Sequence, residues 1–339
     1  MEYTTHKDFS EIPASAWNEL AEAGISDTPF TRHEMLSAWW RSLGGGEWQD
    51  ARLVLISASE NGRLIGIAPL FEAEYEGRRA LLLVGSIEVS DYLDLIVRAG
   101  DLPRFLAGLL DYLAASACCA GLPVDWYNLP NSSPTLAALQ AESEKRGWSF
   151  RQEVYRPTPR IPLGGTFDDY LARLDKKQRH EIRRKMRRAA DSLLPLRFYV
   201  VEDRSTLDAE IESFLELMAH DVSKSAFLKP AMRAHVAAVI HTAFEQGYLW
   251  LAFLSLDGQK AAAALNFDYK NKLWGYNSGV NRDFMDLSPG WVLLTHQIQW
   301  ACEHGRAEFD FMRGDEEYKY RFGGVNQYVL RAVAEPAKR

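Results

Sequence analysis

YLWLAFLSLDGQKAAAALNFDYKNKLWGYNSGV, residues 248–280, is three apolar runs cut by two short polar breaks. The runs 248–256, 259–269 and 273–280 each have strand length, and Asp257-Gly258 and Asn271 supply residues that tolerate tight reversals. The segment therefore predicts an antiparallel meander of three strands. A helix opening after Ser288-Pro289-Gly290 and running to about His304 follows, and then AEFDFM (307–312) as a further strand. A strand–loop–helix–strand unit of this length returns its second strand parallel beside the first.

The same order is legible upstream. Residues 51–58, 62–75 and 78–85 are β-like runs separated by Asn61-Gly62 and Glu76-Gly77, YLDLIV (92–97) is a fourth short strand, and a helix over 101–117 leads into a strand at 124–130. TRHEMLSAWWRSL (31–43) precedes them as an amphipathic helix stopped by Gly44-Gly45-Gly46. A helix over 134–148 and an extended 149–155 follow. RPTPRIPLGG (156–165), with three prolines and two glycines, reads as a linker between halves 1–160 and 161–339. Thr166 caps one long helix with Asp168 and Asp169 in its first turn, favourable to the helix dipole. A strand near 196–202 and helices at about 205–220 and 230–246 complete the reading. The fold class expected is α/β of the α+β kind, with two tandem domains, each a mixed sheet flanked by helices.

The 339 residues carry a net charge of −7 from 39 basic and 46 acidic side chains, which argues against a nucleic-acid scaffold while leaving room for a local basic patch. MEYTTHKDFSEIP at the start shows no basic segment followed by an apolar core, and no run is long enough to span a bilayer. Of three cysteines, two are adjacent, so reduced thiols in a cytoplasmic protein are expected. KKQRHEIRRKMRR (176–188) concentrates the positive charge. Leu171, Leu174, Gln178, Ile182 and Met186 fall at helical spacing, so one stripe packs and the basic side faces out. That side is either a solvated face or a contact for an anionic partner: coenzyme A phosphates, a glycan or lipid-linked substrate, or tRNA. The histidines carry no HExxH or CxxC framing, so no metal site is expected.

Chemistry concentrates near the C-terminus. DFMRGDEEYKYRFGG (310–324) crowds Asp310, Arg313, Asp315, Glu316, Glu317, Tyr318 and Lys319 after a strand. The run is either a solvated turn or a strand end delivering acid, base and anion-binding groups into a cleft. NSGVNRDFMDLSPGW (277–291) sets a polar loop against a helix N-terminus, where free N–H groups and the helix dipole suit a pyrophosphate. The same residues also serve as ordinary capping. Ligands of α/β sheets collect at the strand ends where these two segments meet.

These stretches, with PFTRHEMLSAWW (29–40), GIAPLFEAE (66–74), SDYLDLIV (90–97) and the basic helix, resemble the GNAT-type acetyltransferases of the CelD/BcsL group, assigned to cellulose or exopolysaccharide biosynthesis. That group is related to the Fem-type peptidoglycan aminoacyltransferases. DFMRGDEEYK is the most specific of the motifs. The resemblance implies tandem GNAT-like domains, with the acyl-donor site in 161–339 and 1–160 supporting it or holding the acceptor. It implies that strands 273–280 and 307–312 splay apart, so that Asn277, Ser278, Gly279 and Val280 bind pantetheine. Ser288, Gly290 and Trp291, within Asp286–Trp291, then hold the pyrophosphate, with Arg313 and Lys319 as further cations.

The donor so implied is acetyl-CoA or another acyl-CoA. Of the usual glycine-rich phosphate loop only Gly290 is present, and an acyl carrier protein or aminoacyl-tRNA is the alternative donor. Amide formation needs the acceptor amine deprotonated and the leaving thiolate protonated. Asp310 or Asp315 is the candidate base and Tyr318 or Tyr276 the candidate acid, while an N–H near Asn277–Val280 stabilises the oxyanion. Asp310 with Arg313 reads alternatively as a structural ion pair, and Tyr318 as a packing residue. The activity expected is transfer of an acyl group from acyl-CoA to an amine, such as an amino sugar or amino acid precursor of a surface polymer. A Fem-like aminoacyltransferase and a non-catalytic GNAT-like binding protein are the alternatives.

Overall fold

Asn61 and Gly62 both adopt positive φ, 52° and 76°, and so do Asp257 and Gly258 at 50° and 73°. Two consecutive left-handed residues give a two-residue reversal whose twist matches that of the flanking strands. These turns set the registers on which both halves of the chain are built. The computed structural model describes residues 1–75 and 77–337. Glu76, the first residue of the expected Glu76-Gly77 break, lies outside them. The chain divides into two units, Met1–Pro157 together with Gln327 onward, and Thr158–Asn326.

In the first unit β1 (Glu2–His6), α1 (Ala14–Glu22) and α2 (His33–Leu43) precede the meander β2 (Gln49–Glu60), β3 (Arg63–Tyr75) and β4 (Arg78–Leu83). β5 (Ile96–Val97), α3 (Leu102–Ala115), β6 (Val124–Pro130), α4 (Pro134–Lys145) and β7 (Ser149–Pro162) follow. Strands run in the order β1-β2-β3-β4-β6, β6 parallel to β4 and the others antiparallel. The expected strand at 92–97 is reduced to Ile96–Val97. Asp94 turns inward there, accepting hydrogen bonds from Ser133 Oγ and Thr135 Oγ1 at 2.6 Å each and from the Leu95 N–H at 2.8 Å. Burial pushes its carboxyl up to about 6, against the pull of those donors.

Two further expectations are corrected. The proposed linker 156–165 is strand β7 as far as Pro162 rather than open chain, and the boundary between the two units, after Pro157, falls within it. Its prolines do not break it, because they serve the ladder as acceptors: Phe311 N–H donates to Pro159 O at 3.0 Å, and Ile161 and Arg160 pair with Phe309 and Asp310. The single long helix after Thr166 is two, α5 (Phe167–Arg173) and α6 (Lys176–Ala190). Thr166 and Asp169 form a capping box on the first, and Asp175 caps the second through Gln178 N–H.

The second unit continues with β8 (Leu196–Val200), α7 (Leu207–Ala219), α8 (Val222–Phe227) and α9 (Pro230–Glu245). The meander β9 (Leu249–Leu256), β10 (Gln259–Tyr269) and β11 (Lys272–Val280) follows, then α10 (Pro289–Glu303), β12 (Glu308–Asp310) and α11 (Glu317–Arg321). The sheet order is β7-β12-β11-β10-β9-β8, with β12 parallel to β11. The short α8 had no sequence signal of its own. Ala261–Ala264 of β10 are buried small residues that admit helices close to the sheet. Ile161, Tyr170, Ile182, Leu293, Phe309 and Phe322 form part of the core on which α5, α6 and α10 rest. The last strand, β13 (Val325–Glu335), pairs antiparallel with β6, so the segment from Gln327 belongs to the first unit rather than to the half 161–339.

Candidate active site

Parallel pairing of β11 with β12 covers three residues, Lys272↔Glu308, Leu273↔Phe309 and Trp274↔Asp310. Beyond them β11 continues to Val280, whereas the other chain turns away. Phe311 N–H goes to Pro159 O, and Met312 takes a left-handed φ of 59°. Asp310 fixes that turn: one carboxylate oxygen accepts the Met312 N–H at 2.7 Å and the other lies 2.9 Å from Arg160 Nε. The side chain is fully buried. Asp310, anticipated as a base, thus sits out of solvent between these two partners at the point where the strands part.

On the other side of the gap, Tyr276 is the extra residue of a bulge, because Leu265 opposes Asn277 while Asn266 opposes Gly275. Asn281 N–H donates to Ala261 O at 2.9 Å. Bonded pairs alternate in an antiparallel ladder, so Gly279 and Asn277 bond β10, while Ser278 and Val280 direct their backbone groups away from it. Ser278 N–H donates to Asn277 Oδ1 at 2.8 Å and Ser278 O accepts from Lys224 at 2.6 Å, so a ligand lying along β11 takes their place there. Gly279 serves packing instead, since a Cβ there would come within 2.4 Å of the Leu217 and Met218 backbone of α7.

Val280 leads to the start of α10, where a Cβ on Gly290 would sit 3.3 Å from Val280 Cγ2. The helix start is poorer in donors than the sequence predicts. Pro289 has no N–H, and those of Trp291 and Val292 both go to Ser288 O, itself at a left-handed φ of 52°. Of these first positions, only the Gly290 N–H has no partner among the described residues. Positive charge comes from α6 instead. Lys185 Nζ lies 3.8 Å from the centre of the Trp291 ring, a cation–π contact, and burial lowers its pKa.

The loop 312–319 closes the other side. Lys319, expected among the anion ligands, is buried and donates to Arg313 O at 2.7 Å and Gly314 O at 3.3 Å, and pairs with Glu316 at 2.9 Å. It ties the loop together. Asp315 is exposed on that loop, and Arg313 is half-buried. Tyr318 sets its ring edge-on to Phe311 at 6.0 Å. Packing around its hydroxyl, with the nearby Glu316 carboxylate, raises the phenol above its ordinary range and keeps the proton on. Tyr276 packs on Phe267 at 5.3 Å.

One participant was missed. Lys224, on α8, donates to Asn277 Oδ1 at 2.9 Å and Ser278 O at 2.6 Å, and Asp221 and Glu316 stabilise its charge. Among the described residues no group of three His, Cys, Asp or Glu is placed to hold a metal, and no helix is long and apolar enough to cross a membrane.

Residues 176–320 match the family model described as an acetyltransferase (GNAT) domain. No curated protein matches the chain. Among solved structures, the crystal structure of FemX aligns with a TM-score of 0.67 at 12% identity, covering 98% of this chain and 97% of that one. A conserved protein of unknown function from Bacteroides thetaiotaomicron gives 0.62 at 10% identity over 98% and 100%. L-PGS from Bacillus licheniformis gives 0.58 at 13% over 96% and 92%. The likeness to these structures is one of fold along nearly the whole chain, and the GNAT match lies within it at residues 176–320.

Proposed function

We propose that the protein is an N-acyltransferase that moves an acyl group from an acyl-CoA thioester to an amine. The observation that carries this reading is the parting of β11 and β12 after Trp274 and Asp310, which leaves the backbone of Ser278 and Val280 facing no strand on that side, with Asn277 and Lys224 as the present partners of Ser278. Two amides of a pantetheine arm match alternate residues of an extended strand, as a third strand would. The diphosphate then reaches the Gly290 N–H and the cation supplied by Lys185.

In the reaction so proposed, Asp315 or a water it holds takes the acceptor's proton. The Val280 N–H, or that of Ser278 once released from Asn277 Oδ1, steadies the oxyanion, and Tyr318 returns a proton to the leaving thiolate. Arg313 is the proposed phosphate or acceptor contact, and Tyr276 the alternative acid. Asp310 and Lys319 act by holding the loop. An amino sugar or amino acid precursor of a surface polymer is the acceptor class favoured by the family resemblance. The test is thiol release from acetyl-CoA across a panel of such amines, repeated with Asp315→Ala and Tyr318→Phe. Failure of every amine to release thiol while coenzyme A leaves the melting temperature unmoved would sink the reading.

A second reading has its own observation. Lys176, Lys177, Arg187 and Arg188 are exposed on α6, the helix whose Lys185 meets Trp291. A donor with a longer phosphate backbone, such as an aminoacyl-tRNA, would use that face, and its binding would fall steeply with salt.

A further inference from the structure

Lys224 sets an amine against the outward backbone of β11. Its Nζ is 2.6 Å from Ser278 O and 2.9 Å from Asn277 Oδ1. Ser278 is one of the two residues whose backbone is turned away from β10. The Asn277 amide oxygen accepts the Ser278 N–H at 2.8 Å as well, so the side chain that holds the lysine also touches the strand's donor. The residue stands on a six-residue helix held by its Asp221 cap, with Val222 and Phe227 exposed. Such an element can withdraw at small cost in buried apolar area.

We infer that Lys224 is an acyl-acceptor site of the protein itself, modified by the thioester bound along β11. The inference rests on the reading of that slot as the thioester site. The neutral ε-amine forms a bond to the acyl carbon, the carbon–sulfur bond breaks, and the thiol departs with the proton the nitrogen sheds. The product is a neutral amide, which removes the charge that Asp221 and Glu316 now face, while Glu316 keeps Lys319 at 2.9 Å. Burial around Lys224 lowers its pKa, which raises the share of free amine available for attack. Holding nucleophile and thioester on one strand is what distinguishes this lysine from those on the surface.

The experiment incubates the full chain with acetyl-CoA and no added amine, and follows acetylation at each lysine by peptide mass spectrometry. Coenzyme A binding is measured in parallel by calorimetry. The expected result is acetylation of Lys224 at least about tenfold faster than of the exposed Lys176 and Lys177, as proximity requires. Lys224→Arg should lose that signal while still binding coenzyme A. Binding with Lys224 modified no faster than Lys176 overturns this inference and leaves the donor reading standing. No binding at all overturns the donor reading, and this inference with it.

Discussion

Arg160 and Asp310 oppose each other in the β7–β12 register, and the guanidinium Nε lies 2.9 Å from a carboxylate with no exposure to solvent. The other oxygen of that carboxylate holds the Met312 N–H, so one side chain both closes the ladder and turns the chain out of it. Asp310→Ala takes the buried carboxylate from the Arg160 guanidinium, which keeps Glu308 at 3.6 Å, and frees the turn. A loss of roughly 3–5 kcal/mol is expected, read by urea unfolding. Full stability together with selective loss of turnover would instead make Asp310 a proton acceptor.

Tyr318→Phe removes the phenol proton and little packing. Thiol release at saturating donor should fall by about a hundredfold or more, with the melting temperature held. An unchanged rate would return Tyr318 to a packing role.

Gly279→Ala tests whether that residue serves packing or ligand. The added methyl meets the α7 backbone at 2.4 Å, so destabilisation of about 1–3 kcal/mol is expected in thermal unfolding. A stable variant with impaired donor binding would reverse the assignment.

Lys185→Met keeps the stem over Trp291 and deletes the charge. The KM for acyl-CoA should rise about tenfold, near 1.4 kcal/mol, with kcat little changed. The difference between wild type and variant should shrink in high salt.

Asp94 gives the first unit a pH signature. Folded, it keeps its proton up to about pH 6, whereas an unfolded aspartate releases it near a pKa of about 3.9. The folded state binds more protons between those values, so stability is greatest below the window and falls as pH rises through it. Asp94→Asn carries no such titration, and its melting temperature should lack that component of the slope between pH 4 and about 7. Parallel slopes in both proteins would remove Asp94 as the cause.

The meanders, their turns and the helix after Ser288 were legible because local chemistry alone specifies them: apolar runs bounded by residues that accept positive φ. The strand character of Arg156–Pro162 was hidden. Prolines signal breaks until a neighbouring strand is known to need only their carbonyls. The break at Leu174-Asp175 was overlooked because Asp175 reads as one more polar position until its cap on Gln178 is seen. At the site, residue types were readable and their directions were not. Asp310 and Lys319 carry the right groups, yet each is turned into the fold by partners remote in sequence or on the same loop. Lys224 belongs to DVSKSAF, which has no periodicity to draw attention to it. Only the proximity of α8 to Asn277 makes it relevant.

Each unit is finished by a strand from the other half of the gene. The first closes β6 with β13, from the chain's far end, and the second closes β12 with residues 158–162, from β7. Dividing the polypeptide at its midpoint therefore yields two fragments with a raw sheet edge apiece, prone to self-association. During synthesis, β6 waits for β13 until residues 325–335 have been made, after the whole of the second unit, so the unit begun first is completed last.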